Sequence, residues 1–303
     1  MLKDIAISLG DINGVGVQLA LENHKKIKKL CNPIYCINKD LLNQASKLLD
    51  IKIPKDFKTF NTKGKFKIKP GKVSKKAGLF SYNSFIDAIN LVKNKKAIGV
   101  CTLPINKESW NKANIHYVGH TDMLRDVFKK DAIMMLGCPS MYVALYTEHI
   151  PLKEVANSLK YKKLLHFLKD FYKSEKPKKV AVLGLNPHAG DNGVLGDEEN
   201  IIIKAITKIN KELKFDIFYG PVVPDIAFSP SFRINYNYFI AMYHDQGLAP
   251  LKALHFEESI NVSLNLPILR TSVDHGTAFD KAYKKKNNLS SLSYINAIKK
   301  LLN

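Results

Sequence analysis

The sequence predicts an α/β protein with a mainly parallel sheet, on three observations. Apolar strand-like runs alternate with amphipathic helical stretches along the whole chain. Several of those runs empty directly into glycine, histidine or aspartate, and the carboxyl edge of an open α/β sheet is where ligands bind. Apolar residues make up 46% of 303, which supplies a core for one large or two smaller domains and excludes a disordered chain.

Lys3 to Leu9 reads as the first strand, followed by the turn Gly10-Asp11-Ile12-Asn13-Gly14-Val15-Gly16 and a helix to Leu30. This turn offers a helix N-terminus to an anion, but its spacing is not the dinucleotide fingerprint G-x-G-x-x-G. Pro33 to Ile37 is a second strand, and Asp40 caps a helix to Leu49. Lysine-rich 51–77 reads as loop or short strands, and Phe80 to Asn94 as an amphipathic helix. Ala97 to Cys101 is a buried strand running into Thr102 to Lys107; Gly119-His120-Thr121-Asp122 then opens a helix to Lys130. Ala132 to Leu136 and Met141 to Leu145 are strands, the second ending near His149; Tyr161 to Lys173 is a basic helix in which His166 is a surface residue. The strand Lys179 to Leu185 delivers His188, and a helix follows from Asp197. Phe215 to Val223 is a strand ending at Asp225, Tyr238 to Tyr243 one ending at His244, and Tyr294 to Leu302 a closing helix.

Lys+Arg exceeds Asp+Glu by 20, which raises the question of nucleic acid. The excess is scattered lysine with little interleaved arginine or aromatic, whereas base readout and stacking need both. Solvated lysine faces, whose field attracts anionic substrates, fit better, and no nucleic-acid partner is expected. A basic nucleic-acid-binding protein retaining only the fold is the alternative of another class. The N-terminal stretch lacks a signal-peptide core, and no run of about 18 apolar residues exists to span a membrane. Cys31, Cys36, Cys101 and Cys138 lack metal-binding spacing and read as reduced thiols. A cytoplasmic protein is expected.

The chemistry gathers in histidines. His149, His188 and His244 each follow an apolar strand, and strand ends along one edge of a parallel sheet converge. Three imidazoles with an open position make a catalytic metal site suited to zinc, cobalt, nickel or iron(II). Three unrelated histidines with separate hydrogen bonds are the other reading of the same spacing. His120 and Thr121 stand ready to hold substrate instead, while His24, His116 and His255 lack this context. Lys252, Asn261 and Arg270 have the character of a phosphate or carboxylate site, Arg270 standing out in a lysine-dominated chain.

MYHDQG (Met242–Gly247), LPILRTSVDHGTAFD (Leu266–Asp280), GLNPHAG (Gly184–Gly190), PINK (Pro104–Lys107), GHT (Gly119–Thr121) and HIPL (His149–Leu152) together resemble the signatures of the PdxA family, 4-hydroxythreonine-4-phosphate dehydrogenases of vitamin B6 synthesis. The motifs occur in the family's order over nearly the whole chain. Three segments depart from its pattern: Gly10 to Gln18 replaces GDPAGIGPE, Asp122 replaces the glutamate of GHTE, and Lys281 to Lys284 stands where IAGKG is common.

The resemblance implies the two-lobed isocitrate/isopropylmalate-dehydrogenase-like fold with the active site in the interlobe cleft. Lobe 1, the cofactor side, would comprise 1–117 with 262–303; lobe 2, carrying the metal and the dimer contacts, 118–261. It implies NAD or NADP as cofactor and one divalent metal ion (zinc, magnesium or cobalt) on His149, His188 and His244, in a homodimer that shares its active site. His120, Thr121, Lys252, Asn261 and Arg270 would hold substrate, and Asp274, His275, Gly276, Thr277 and Ala278 the cofactor. The reaction would be oxidation at C3 of 4-phosphooxy-L-threonine followed by decarboxylation, with Lys252 the first candidate for the base and Asp225 the second. A related phosphorylated tetronate or threonate is the alternative substrate.

Overall fold

A computed structural model describes residues 2–284 and 289–303. The chain begins with β1 (Asp4–Ser8), α1 (Gly16–Lys28), β2 (Asn32–Cys36), α2 (Lys39–Leu49), β3 (Thr59–Phe60), α3 (Lys75–Lys93), β4 (Gly99–Thr102), α4 (Lys107–Lys112) and α5 (His120–Phe128). It continues through β5 (Ile133–Cys138), β6 (Met141–Leu145), α6 (Val155–Ser158), α7 (Tyr161–Glu175), β7 (Val180–Leu183), α8 (Glu199–Leu213), β8 (Phe218–Val222), α9 (Pro224–Ala227), α10 (Pro230–Arg233), β9 (Tyr238–Ala241) and α11 (His244–His255). β10 (Ile260–Leu264), β11 (Leu269–Val273) and α12 (Leu292–Leu302) complete it.

Two compact units emerge: Met1–Lys130 with Ile260–Val262 and Leu266–Asn303, and Asp131–Ser259 with Ser263–Asn265. In the first, β3, β2, β1, β4 and β11 lie side by side, all parallel. In the second the order is β5, β6, β9, β7, β8, parallel except for the β5–β6 hairpin. The predicted α/β architecture with mainly parallel sheet is therefore what the chain adopts.

Each unit has its own core. Phe85, Ala88 and Ile89 of α3 pack with Ala6, Ile34, Val100, Trp110 and Met123 in the first. Trp110 is fully buried, and its indole N–H donates to Ser81 Oγ at 2.6 Å, so the ring hides about 3 kcal/mol of apolar surface without orphaning its donor. In the second unit Val143, Leu145, Leu183, Phe239 and Ala241 line the strands beneath Leu248 and Leu251 of α11.

Two helix starts differ from expectation. Asn38, not Asp40, caps α2: its backbone is extended and its Oδ1 accepts from Leu41 N at 2.9 Å. Asp40 instead sits in the first turn, where a carboxylate suits the helix dipole. α3 begins five residues before Phe80 because Ser74 caps it; Lys75, Lys76 and Gly78 interrupt the apolar period without stopping the helix. Directly after the strand ending at His244 the sequence pattern predicts no helix, whereas α11 begins there and carries Gly247 and Pro250 within it. The four cysteines are free and buried, and His166 is exposed and pairs with Asp170. Among the described residues no helix is long and apolar enough to cross a membrane.

Candidate active site

In the second unit β6, β9 and β7 are parallel neighbours, so their carboxyl ends stand in a row. From those ends leave the segments carrying His149, His244 and His188. The structure brings His149 and His244 together, ring centres 5.4 Å apart. Thr147 fastens this pair of loops: both its backbone N–H (3.2 Å) and its hydroxyl (2.6 Å) donate to the Met242 carbonyl. His188 lies in a left-handed stretch, with φ between 43° and 81° from His188 to Asn192. Such backbone persists only where its surroundings over-determine it. The buried Glu199 carboxylate anchors the entry to this stretch, accepting from Leu185 N (2.8 Å), Asn186 N (2.7 Å) and Asn186 Nδ2 (2.9 Å).

Gln246 links the departure points of His188 and His244. Its Nε2 donates to the Gly184 carbonyl at 2.7 Å while its Oε1 accepts from Met242 N at 2.8 Å. The next residue must be glycine, because a Cβ there would meet Val143 Cγ1 and Ala241 Cβ and lift α11 from its strands. Lys252, on the same helix, donates to Ser259 Oγ at 3.3 Å and lies 5.3 Å from the centre of the Phe256 ring. Asp225 is exposed in the first turn of α9, which packs beside the His188 segment.

The first unit holds the second cluster. Arg270 is 2% exposed in β11, and Thr102 Oγ1 accepts from its Nε (3.0 Å) and Nη2 (2.7 Å). Asn261 Oδ1 accepts from Nη1 at 3.4 Å. Burial pushes the guanidinium down to about 9, still above neutrality, so the charge remains. A buried guanidinium is a ready holder of phosphate or carboxylate. Burial first, and then the Arg270 charge, hold the His120 imidazole well below its ordinary value, so it is neutral. Its Nε2 is buried without a hydrogen-bond partner, while Phe85 and Trp110 meet the ring edge-on. A neutral ring with an unused nitrogen beside a buried cation is built for a substrate oxygen. Thr121, the next residue, is 5% exposed.

The segment Asp274–Ala278 leans on the N-terminal glycine turn. Val15 N donates to the Thr277 carbonyl at 3.1 Å, and a Cβ on Gly14 would come within 2.8 Å of that oxygen. Asp274 N donates to Ser293 Oγ at 3.0 Å, and His275 Nδ1 lies 3.1 Å from the Gly276 carbonyl.

Sequence reasoning passed over Glu199, Gln246 and Thr102, which position other groups; the one available signal was Glu199 at a helix start. It also set aside His255. Among the described residues, the three whose ligand atoms lie within 4.8 Å of one another are Cys138, His255 and Glu258; the strand-end histidines are more widely spread.

The profile of the family described as pyridoxal phosphate biosynthetic protein PdxA matches residues 29–301. The 4-hydroxythreonine-4-phosphate dehydrogenase of Sulfurimonas denitrificans is 63% identical over 97% of this chain and 95% of its own length. The enzyme of that name from Campylobacter fetus is 57% identical over 98% of this chain and 97% of its own. A crystal structure of a 4-hydroxythreonine-4-phosphate dehydrogenase from Burkholderia phymatum superposes with a TM-score of 0.82 at 29% identity, covering 99% of this chain and 97% of that one. With its strand-end histidines, its buried arginine and full-length likeness of this order, the chain belongs to the PdxA family of pyridoxal phosphate biosynthetic proteins.

Proposed function

We propose that this protein is an NAD(P)-linked, metal-dependent dehydrogenase that oxidises 4-phosphooxy-L-threonine at C3, with loss of carbon dioxide to give 3-amino-2-oxopropyl phosphate. The observation that carries the reading is the row of three histidines at the ends of β6, β9 and β7. All three are nitrogen donors, two already face each other, and none has a thiol in its loop. Such a donor set fits zinc or cobalt readily, and magnesium less well. When bound on these histidines, the cation would supply Lewis acidity, and the nicotinamide cofactor would supply a hydride acceptor.

The chain's own residues do the rest. Arg270, Asn261 and Thr121 hold an anionic end of the substrate, and the neutral His120 offers Nε2 to one of its oxygens. Lys252 takes the hydroxyl proton on Nζ; Asp225 is the second candidate. Asp274–Ala278, braced on the Gly14 turn, holds the dinucleotide.

We further propose a cytoplasmic homodimer that shares its site. Ile150, Leu152, Val194, Leu195, Ile226 and Ile234 are exposed in the segments after β6, β7 and β8, apolar side chains suited to a partner surface. A ligand contributed by a second copy accounts for the wide spacing of the three histidines within one chain.

The test is reduction of NAD or NADP by the purified protein with 4-phosphooxy-L-threonine, before and after chelation and metal return. Turnover abolished by chelator and restored by zinc or cobalt is expected. Absence of turnover with either nucleotide and every metal, alongside activity on a phosphorylated threonate, would transfer the protein to the sister reaction.

A further inference from the structure

Cys138 ends β5 and opens the two-residue turn into β6; His255 and Glu258 lie at the far end of α11. This places them on the edge of the second unit's sheet opposite His149 and His244. α11 separates His244 from His255 by about 16 Å at 1.5 Å per residue. Sulfur, imidazole nitrogen and carboxylate oxygen all lie within 4.8 Å of one another. Both ring nitrogens of His255 are buried without a hydrogen-bond partner, and the Glu258 carboxylate Oε1 stands 3.8 Å from Nδ1, too far to bond. An imidazole with two orphaned nitrogens costs a few kcal/mol unless something fills the gap.

We propose that Cys138, His255 and Glu258 bind a zinc ion that clips the β5–β6 turn to the end of α11. Thiolate with imidazole and carboxylate selects a borderline-soft cation over magnesium or calcium. Ligand atoms on tetrahedral zinc are about 3.3–3.6 Å apart, so the set needs to close by roughly 1 Å, within the reach of side-chain rotation. Ser140 Oγ, 3.1 Å from the Cys138 sulfur, or a water completes four ligands. On binding, the Cys138 S–H proton passes to water as the sulfur–zinc bond forms. Glu258 is half exposed and gives the ion its route in, while the thiol is buried.

The test uses the full chain stripped of metal and reloaded with cobalt(II). A sulfur-to-cobalt charge-transfer band in the near ultraviolet reports Cys138 alone, because the strand-end histidines have no thiol and the other cysteines belong to the other unit. The expected result is that band in the native protein, its loss in Cys138→Ser with unchanged circular dichroism, and one fewer zinc bound per chain. Glu258→Gln, a surface change that leaves the core intact, is expected to weaken zinc binding about tenfold or more. A native protein without the band, a band surviving in Cys138→Ser, or undiminished zinc affinity in Glu258→Gln would overturn the site.

Discussion

The imidazole of His149 lies 5.4 Å from that of His244, the two rings inclined at 42°. They are distant in sequence and meet because β6 and β9 run parallel as neighbours and release their loops at the same edge. Replacing either ring by alanine removes a nitrogen from the proposed cation site. Turnover is expected to fall at least 100-fold and metal content with it, since even outer-sphere changes cost 10- to 100-fold (roughly). Metal analysis of the purified variants decides: full metal content in both would detach these histidines from the cation.

Arg270 gives the second prediction. Its fork is fixed by Thr102 on one side and Asn261 on the other, and lysine cannot reproduce that geometry. Arg270→Lys keeps the charge but loses the paired donors, each charge-assisted bond being worth about 1.5–3 kcal/mol. The KM for the phosphorylated substrate should rise about 10- to 100-fold, with metal content unchanged. An unaltered KM would show that the guanidinium serves the fold alone.

Gly14 concerns the nucleotide. A methyl group there collides with the Thr277 carbonyl and Cβ, at 2.8 and 2.9 Å, and pushes the 274–278 segment outward. Gly14→Ala is expected to raise the KM for the nicotinamide cofactor several-fold while affinity for zinc holds. Equal effects on cofactor and metal would point to general unfolding instead, which a thermal melt would register.

Asp11 predicts a pH dependence of stability. Burial raises its carboxyl from 3.8 to about 6, only partly opposed by the hydrogen bond from Asn13 N. Below about pH 4 the group is protonated folded or unfolded and carries no penalty. Between about 4 and 6 the unfolded chain ionises first, so folding loses on the order of 2–3 kcal/mol, all of it lost above pH 6. Asp11→Asn should therefore raise the melting temperature more at pH 7.5 than at pH 4.5. The same gain at both values would remove burial of this charge as the cause.

Much of the α/β pattern could be read from the chain because strands such as Tyr238–Ala241 and Val180–Leu183 are short apolar runs bounded by turn residues. What escaped was set by context. α11 contains a glycine and a proline, and it forms because Gly247 fits against Val143 and Ala241. α3 starts early because one serine at position 74 captures an amide. The histidines at strand ends were legible, since the residue type and the strand both show in one window of sequence. Cys138 and His255 belong to windows more than a hundred residues apart, and only the antiparallel return of β5 against β6, under the far end of α11, makes them neighbours.

The side-chain amide of Gln246 grips two strand exits at once, one with its nitrogen and one with its oxygen. A glutamate of the same length could keep the oxygen's half of that grip but not the nitrogen's. The segments bearing His188 and His244 are thus yoked through a single planar group, and a displacement of one is handed to the other. The cation proposed for these loops would meet a paired jaw rather than two independent fingers.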